Sequence, residues 1–103
     1  MPDDKKFYML LDKIRNLHDK KKEDYATKED PYSNYRIVAQ LLGEKDYLMP
    51  FRRLVEKTLR ACNLLERDAT PNFESLEDTL LDIAVLSLIT IDMMGGENED
   101  KSL

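Results

Sequence analysis

Two aspartates in the last third of the chain have the spacing of a metal-binding pair. Asp78 and Asp82 are four residues apart, which places both side chains on one face of a helix. Val85 and Ile89 continue that face, so the two carboxylates lead into an apolar stripe. Mg²⁺ is held in proteins by one or two carboxylates together with substrate phosphates and water. The pattern has two interpretations: a Mg²⁺ site, or a capping Asp78 with Asp82 paired to a basic residue of the preceding helix.

A cluster of basic residues occupies one sector of the helix that precedes these aspartates. Its members are Arg53, Lys57, Arg60 and Arg67. Arginine presents a planar fork of donors that suits bidentate contacts with phosphate. The cluster is either a phosphate clamp or a solvated helix face. Because the two helices are joined by a short loop, we expect them to be antiparallel neighbours, with the basic residues in reach of the aspartates.

A tyrosine-rich segment between residues 24 and 35 has the groups needed to hold a base. Asp24 and Tyr25 stand at its start, and Asn34 and Tyr35 stand at its end. Aromatic rings stack on bases, and the polar groups can bond to the polar edge of a base. The alternative interpretation is a turn that packs on the rest of the protein.

Several other kinds of chemistry are excluded. The single cysteine, Cys62, rules out an internal disulfide and a cysteine-based zinc site, and we expect it to be a small core residue. The single histidine, His18, rules out paired-histidine metal motifs, and its position at the edge of an apolar stripe predicts a locally bonded residue. The chain has no glycine-rich phosphate loop.

Charge and hydropathy restrict the partners. The net charge of −5 argues against general nucleic-acid binding. The longest apolar stretch, Ile83 to Ile91, is about half the length needed to span a bilayer. With no apolar leader at the start, we expect no membrane association and a cytoplasmic location.

The elements that must position these residues are all helical. Scarce glycine and proline, together with apolar residues at helical spacing, predict an all-α fold, a compact bundle of four to five helices that oligomerises. We expect one helical domain over residues 1–103, with a core at about 5–94 and a flexible tail at 95–103. The expected helices run over about 4–23, 34–42, from Pro50 onward, and 75–94.

Capping signals set the ends of these helices. Ser33 has the type and position of an N-cap, and Gly43 follows the second helix at its C-terminus. Ser75 is expected to begin the last helix, and Gly95 with Gly96 to end it.

The two long helices differ in their apolar patterns. The third helix carries one stripe, which we expect to face the core: Phe51, Leu54, Val55, Thr58, Leu59, Cys62 and Leu65. The last helix is apolar almost all round from Leu80 to Met94, which predicts a homo-oligomer formed through it.

Four segments resemble a known family. Lys20 to Tyr25 and Asp30 to Arg36 resemble the K-x-x-D-Y … N-[FY]-R signature of small phage proteins of the nucleotide modification associated domain type. Lys57 with Arg60, followed by Glu74 to Ala84, resembles their K-x-x-R … E-S-x-x-D-x-x-x-D-[IL]-A pattern. The resemblance covers roughly residues 7 to 94. These proteins look like distant relatives of the all-α, MazG-like nucleoside triphosphate pyrophosphohydrolases.

The resemblance implies a helical oligomer that binds a phosphorylated nucleotide, often with Mg²⁺, in the host cell cytoplasm if a phage encodes it. MazG-like enzymes cut between the α and β phosphates, and they usually pair an E-x-x-E helix with an E-x-x-D helix. Asp78 and Asp82 would hold Mg²⁺, and Asp24 would complete the site. The nucleotide-binding residues implied are Lys22, Asp24, Tyr25, Asn34, Tyr35, Arg36, Arg53, Lys57 and Arg60.

Two other functions stay open at this point. A small helical oligomer with basic and aromatic pockets can sequester a nucleotide, including a cyclic signalling nucleotide, without cutting it. Alternatively, the last helix serves only assembly, and the protein is a purely structural helical oligomer.

Overall fold

The computed structural model describes residues 4–25, 30–67 and 73–98, and for residues 21–25, 67, 73–74 and 96–98 it describes the backbone alone. This part of the chain forms four α-helices and no strand: α1 (Lys5–Tyr25), α2 (Ser33–Leu42), α3 (Leu48–Arg67) and α4 (Phe73–Asn98). The all-α prediction is therefore confirmed. The chain divides into two compact units, with the boundary between Asn34 and Tyr35.

The first unit contains α1 and the turn that leads into α2. Leu10, Ile14 and Leu17 follow one another at helical spacing and are half-buried, whereas Phe7 is exposed. His18 is half-buried, and its ring centroid lies 6.2 Å from that of Tyr32. The histidine thus lies at the edge of the apolar stripe beside an aromatic ring.

The start of α2 is capped by a residue other than the predicted one. The carboxylate of Asp30 accepts a hydrogen bond of 3.0 Å from the backbone N–H of Tyr32, and its carbonyl accepts one of 3.3 Å from the N–H of Ser33. Ser33 itself is the first helical residue. The predicted N-cap at Ser33 is wrong, because Ser33 is already helical and Asp30 accepts from the N–H groups of Tyr32 and Ser33.

The end of α2 follows the prediction for Gly43. This glycine has a φ of +68°, in the left-handed region that costs a residue with a Cβ about 1–2 kcal/mol. Its N–H donates to the carbonyl of Gln40 at 3.3 Å, and the N–H of Glu44 donates to the carbonyl of Ala39 at 2.9 Å. These two bonds form a Schellman motif, which ends the helix and reverses the chain.

Two ion pairs fasten the corner between α2 and α3. Nη1 of Arg36 lies 2.6 Å from Oδ2 of Asp46. Nη2 of Arg52 lies 2.6 Å from both carboxylate oxygens of Glu44. Both pairs are partly exposed, so each contributes at most about 1 kcal/mol.

The inward face of α3 is not the predicted stripe. The helix begins at Leu48, so Pro50 lies in its first turn as expected, and that proline is fully buried. Pro50, Lys57 and Ala61 recur at helical spacing and are buried or mostly buried, with Leu54 half-buried between them. This face packs against α4, with which α3 makes extensive contact in the described part of the chain.

Most of the stripe that was expected in the core is exposed. Phe51, Val55, Leu59 and Leu65 have between 47% and 63% of their surface accessible. Cys62 is exposed as well. The prediction that these residues form core is wrong, because small Ala61 and the paired Lys57 make the adjacent face the one that approaches α4.

The core of the second unit is centred on α4. Its buried apolar residues are Leu81, Val85, Leu86, Ile89 and Met93. Fully burying an aliphatic side chain stabilises the fold by about 1.5–3 kcal/mol. Thr79 and Thr90 are also buried, and the hydroxyl of each donates to a backbone carbonyl one turn earlier. Because the hydroxyls are hydrogen-bonded, burying them lowers the stability of the fold only slightly.

Both ends of α4 extend beyond their predicted positions. The helix begins at Phe73, two residues before Ser75, and continues through Gly95 to Asn98. Gly95 does not adopt a left-handed conformation. The predicted end of the helix at Gly95 and Gly96 is wrong. The flexible tail at 95–103 stays a prediction, and residues 99–103 lie outside the described part. No helix in the described ranges has the length and apolar character needed to cross a membrane.

Candidate functional site

An ion pair joins the basic helix to the acidic helix. Nζ of Lys57 on α3 lies 3.2 Å from Oδ2 of Asp82 on α4. The two side chains are only 25% and 23% exposed. Residues 57 and 82 are almost equally far from the connection at 68–72, as expected for antiparallel neighbours. The prediction that the basic residues come within reach of Asp82 is confirmed for Lys57.

Three cations form one surface of α3, called here the cationic face: Arg53, Lys57 and Arg60. Lys57 is held by Asp82, and Nη1 of Arg53 lies 3.6 Å from Oε2 of Glu56. Arg60 is exposed, and it has no carboxylate within 4 Å among the residues the structure describes. Arg60 is therefore the member of this face whose charge is available to an anion.

An open depression of about 270 Å³ lies beside Arg60. Its walls are formed by Glu56, Leu59, Arg60, Asn63 and Leu64. The guanidinium can bind a phosphate, the Asn63 amide can both donate and accept hydrogen bonds, and the two leucines offer apolar contact. The arrangement can accommodate an amphipathic anion, and Asn63 is a residue that the sequence reasoning missed because an amide carries no charge signal.

The predicted metal ligands lie on the neighbouring helix. Asp78 is exposed, and Asp82 is the partner of Lys57. In residues 4–25, 30–67 and 73–98, no group of three or more histidine, cysteine, aspartate or glutamate residues is arranged to hold a metal. Two carboxylates suffice for Mg²⁺ only when phosphates and water complete its shell. The Mg²⁺ role of Asp78 and Asp82 stays a prediction, and it requires phosphates and water to complete the coordination of the ion.

Glu74 and Glu77 on α4 have a spacing that the sequence reasoning took to be absent from the chain, which is wrong. Glu74 and Glu77 are three residues apart and directly precede Asp78, so the helix carries the spacing E-x-x-E. Glu77 is exposed, and the side chain of Glu74 lies outside the described part. The sequence alone contains this E-x-x-E spacing, which is the one expected of MazG-like enzymes.

For the first half of the predicted base-binding segment, the structure describes the backbone alone. Lys22, Asp24 and Tyr25 are in the last turn of α1, and their side chains lie outside the described part of the structure. Their role in nucleotide binding stays a prediction.

The other half of that segment is placed on α2. Asn34 is exposed and belongs to the first unit, whereas Tyr35 is half-buried and belongs to the second; both interact with other residues. Arg36 is committed to Asp46 at the corner between α2 and α3. The role of these three residues at a base also stays a prediction, and the pairing gives Arg36 a structural role at the corner.

The last helix leaves one apolar face accessible. Leu80, Leu88 and Ile91 on α4 are between 51% and 64% exposed and recur at helical spacing. This exposure is compatible with the predicted homo-oligomer through α4, which stays a prediction.

Comparison of the chain with protein families, with curated proteins and with solved structures finds no match. What the protein does must therefore be inferred from its residues and their geometry.

Proposed function

We propose that the protein binds a phosphorylated nucleotide on the cationic face of α3. The observation that carries this proposal is Arg60, an exposed guanidinium without a carboxylate partner in the described part of a chain whose net charge is −5. Cations on acidic proteins are readily neutralised by neighbouring acids, as Arg36 and Arg52 are. A cation left open beside a depression is suited to an external anion.

The depression beside Arg60 supports a nucleotide in preference to a free phosphate. Leu59 and Leu64 offer apolar contact to a base or sugar, and Asn63 offers hydrogen bonds to a polar edge. In this proposal Arg60 contacts the phosphates, and Lys57 and Arg53, each already beside a carboxylate, add positive charge nearby. The role that the resemblance gives to Tyr25, Asn34 and Tyr35 at the base or ribose stays a separate prediction.

An Mg²⁺ ion bound to the nucleotide would be held by Asp78 and Asp82 and would neutralise charge on the phosphates. Lys57 already neutralises Asp82 at 3.2 Å, which makes that carboxylate a weaker ligand for a cation. We therefore favour binding and sequestration of a nucleotide over its hydrolysis to a monophosphate and pyrophosphate. The protein would act in the cytoplasm, that of the host cell if a phage encodes it.

A second candidate function is that of a structural helical oligomer, with no nucleotide ligand. The observation that favours it is the apolar surface left accessible on each helix, with Phe7, Leu41, Leu59 and Ile91 all at least 60% exposed. Monomeric proteins rarely expose large contiguous apolar patches. In this case the Lys57–Asp82 pair would be a structural contact between α3 and α4 and nothing more.

The variant Arg60→Ala separates the two candidates. If Arg60 binds phosphate, the variant should keep its thermal stability, because the unbound guanidinium is solvated. It should bind the nucleotide at least tenfold more weakly, because a charged hydrogen bond contributes about 1.5–3 kcal/mol. Arg15→Ala is the matched control, because Arg15 is an exposed arginine whose ion-pair partner among the described residues is Asp12, 3.8 Å away on α1. Thermal melts and nucleotide titrations on the same preparations give both quantities. A lower melting temperature with unchanged affinity would overturn the assignment of Arg60.

A further inference from the structure

Glu56 lines the depression beside Arg60 without neutralising that arginine. The two residues are one helical turn apart with the glutamate first, which is the orientation that favours an ion pair along a helix. Nevertheless, no nitrogen of Arg60 lies within 4 Å of a carboxylate oxygen of Glu56. The walls of the depression therefore carry an open cation and an acid at the same time.

The contact that Glu56 does make leaves most of its capacity as an acceptor unused. Its Oε2 lies 3.6 Å from Nη1 of Arg53, which is longer than a hydrogen bond, and its side chain is 70% exposed. An exposed ion pair of this length stabilises a helix only slightly. Because a carboxylate accepts about four hydrogen bonds in all, Glu56 can bind a ligand while Arg53 stays beside it.

These two charges restrict the kind of ligand that fits the depression. A phosphate beside Glu56 would be repelled, so the anionic part of the ligand has to lie at Arg60. Residues 56 and 60 are separated by about 6 Å along the helix axis, and the part of the ligand that reaches Glu56 must donate hydrogen bonds to it. Inorganic phosphate offers the anionic part alone, whereas a nucleotide also has a base.

The bases differ in the donors that they offer to a carboxylate. Guanine has two adjacent donors on one edge, the N1–H and the 2-amino group, which match the two oxygens of a carboxylate. Adenine and cytosine each have an amino group beside a ring nitrogen that accepts, and uracil has its N–H between two carbonyl oxygens. A carboxylate is repelled by those acceptors, so guanine is the common base that a glutamate binds through two hydrogen bonds.

We propose that the site is selective for guanine nucleotides, with Glu56 accepting hydrogen bonds from the N1–H and the 2-amino group while Arg60 holds the phosphate. Leu59 lies between the two charged residues in the sequence and lines the same depression, so it is placed to contact the flat face of the base. The selectivity rests on the proposed function and adds to it the identity of the base.

The openness of the depression limits the expected selectivity. A bidentate contact between a side chain and a base edge discriminates against a wrong base by about fivefold to a hundredfold. Water competes for the hydrogen bonds of exposed groups, which reduces their net contribution. We therefore expect guanine nucleotides to bind about tenfold more tightly than adenine nucleotides.

Nucleotides that share their phosphates and differ in the base test this selectivity. The 5′-monophosphates and 5′-triphosphates of guanosine, inosine and adenosine are titrated into wild type by calorimetry; the base of inosine keeps the N1–H and lacks the 2-amino group. We expect guanosine nucleotides to bind most tightly, inosine nucleotides next and adenosine nucleotides most weakly. Equal affinities for the three bases would overturn the selectivity and leave the phosphate site at Arg60 intact. If the proposed function fails as well, none of the six binds, which also overturns the selectivity.

The variant Glu56→Gln tests whether this side chain reads the base. Glutamine keeps the size of the side chain but presents one acceptor and one donor, which suit adenine better than guanine. We expect guanosine nucleotides to bind about tenfold more weakly than to wild type, and adenosine nucleotides at least as tightly.

Glu66→Gln is the matched control for this variant. Glu66 is an exposed glutamate of α3 outside the depression, and its substitution changes the net charge by the same amount. The control should bind all six nucleotides as wild type does. A guanine preference that persists in Glu56→Gln, or an equal loss of affinity for guanosine and adenosine nucleotides, would overturn the role of Glu56.

Discussion

The ion pair between Lys57 and Asp82 gives a stability prediction that the structure makes quantitative. At 3.2 Å, two unit charges attract by about 5 kcal/mol at an effective dielectric constant of about 20. Partial desolvation and the ordering of the lysine side chain offset most of that attraction. Because the side chains are three-quarters buried, we expect a net coupling of about 1–2 kcal/mol, above the range of exposed pairs.

A double-mutant cycle measures this coupling. Lys57→Met, Asp82→Asn and the double variant are unfolded with urea, followed by circular dichroism, at one fixed protein concentration so that self-association contributes equally. Each single variant should lose about 1–2 kcal/mol, and the double variant should lose less than the sum of the two. A loss of 1 kcal/mol lowers the melting temperature of a domain of this size by about 4–8 °C. Strictly additive losses would refute the reasoning and show that the two charges do not stabilise the packing of α3 on α4.

Two further predictions use features with clear local causes. Gly43→Ala should destabilise the protein by about 1–2 kcal/mol, because residue 43 has a φ of +68°. Gly95→Ala should stabilise it by up to about 1 kcal/mol, because residue 95 lies inside α4 and nothing is within 4 Å of the added Cβ. Equal melting temperatures for the two variants would contradict the assigned backbone conformations. Asp82→Asn should abolish any strengthening of nucleotide binding by Mg²⁺. Binding in excess chelator should persist, because the variant frees Lys57. A Mg²⁺ response equal to that of wild type in a folded variant would show that Asp82 is only a structural partner of Lys57.

The helices themselves were predictable because their signals are local. Apolar spacing indicated the three long helices and capping residues indicated α2, which ends at Gly43 because a left-handed residue is needed there. The approach of Lys57 to Asp82 was also predictable, since a short connection forces α3 and α4 to be neighbours. Local signals failed where two candidates competed: Asp30 displaced Ser33 as the cap, and Gly95 continued the helix because glycine ends a helix only when the chain turns away.

The inward face of α3 could not be predicted from periodicity. The face through Val55 is the more apolar one, yet the face that contains Lys57 and Ala61 packs on α4. Small Ala61 permits close approach, and the charge of Lys57 is met by an acid on another helix. Neither condition can be recognised within α3, because both depend on which residues α4 presents.

The sequence predicts which charged residues form the candidate site, but it does not predict which ion pairs they make. The cationic face was evident from spacing. The structure adds that Arg36 and Arg53 pair with acids, whereas Arg60 has no carboxylate within 4 Å in the described part of the chain. Partner choice depends on tertiary distances of a few ångströms, which sequence spacing does not contain.

The central claim, that the protein binds a phosphorylated nucleotide, is tested most directly by incubating it with a panel of linear and cyclic nucleotides, with Mg²⁺ and with excess chelator. Chromatography of the bound and free fractions then shows whether each nucleotide is retained, cut or ignored. We predict that at least one nucleotide is retained unchanged by the wild type, and that Arg60→Ala retains at least tenfold less of it. A panel in which no nucleotide is retained or cut by the folded protein would contradict the claim.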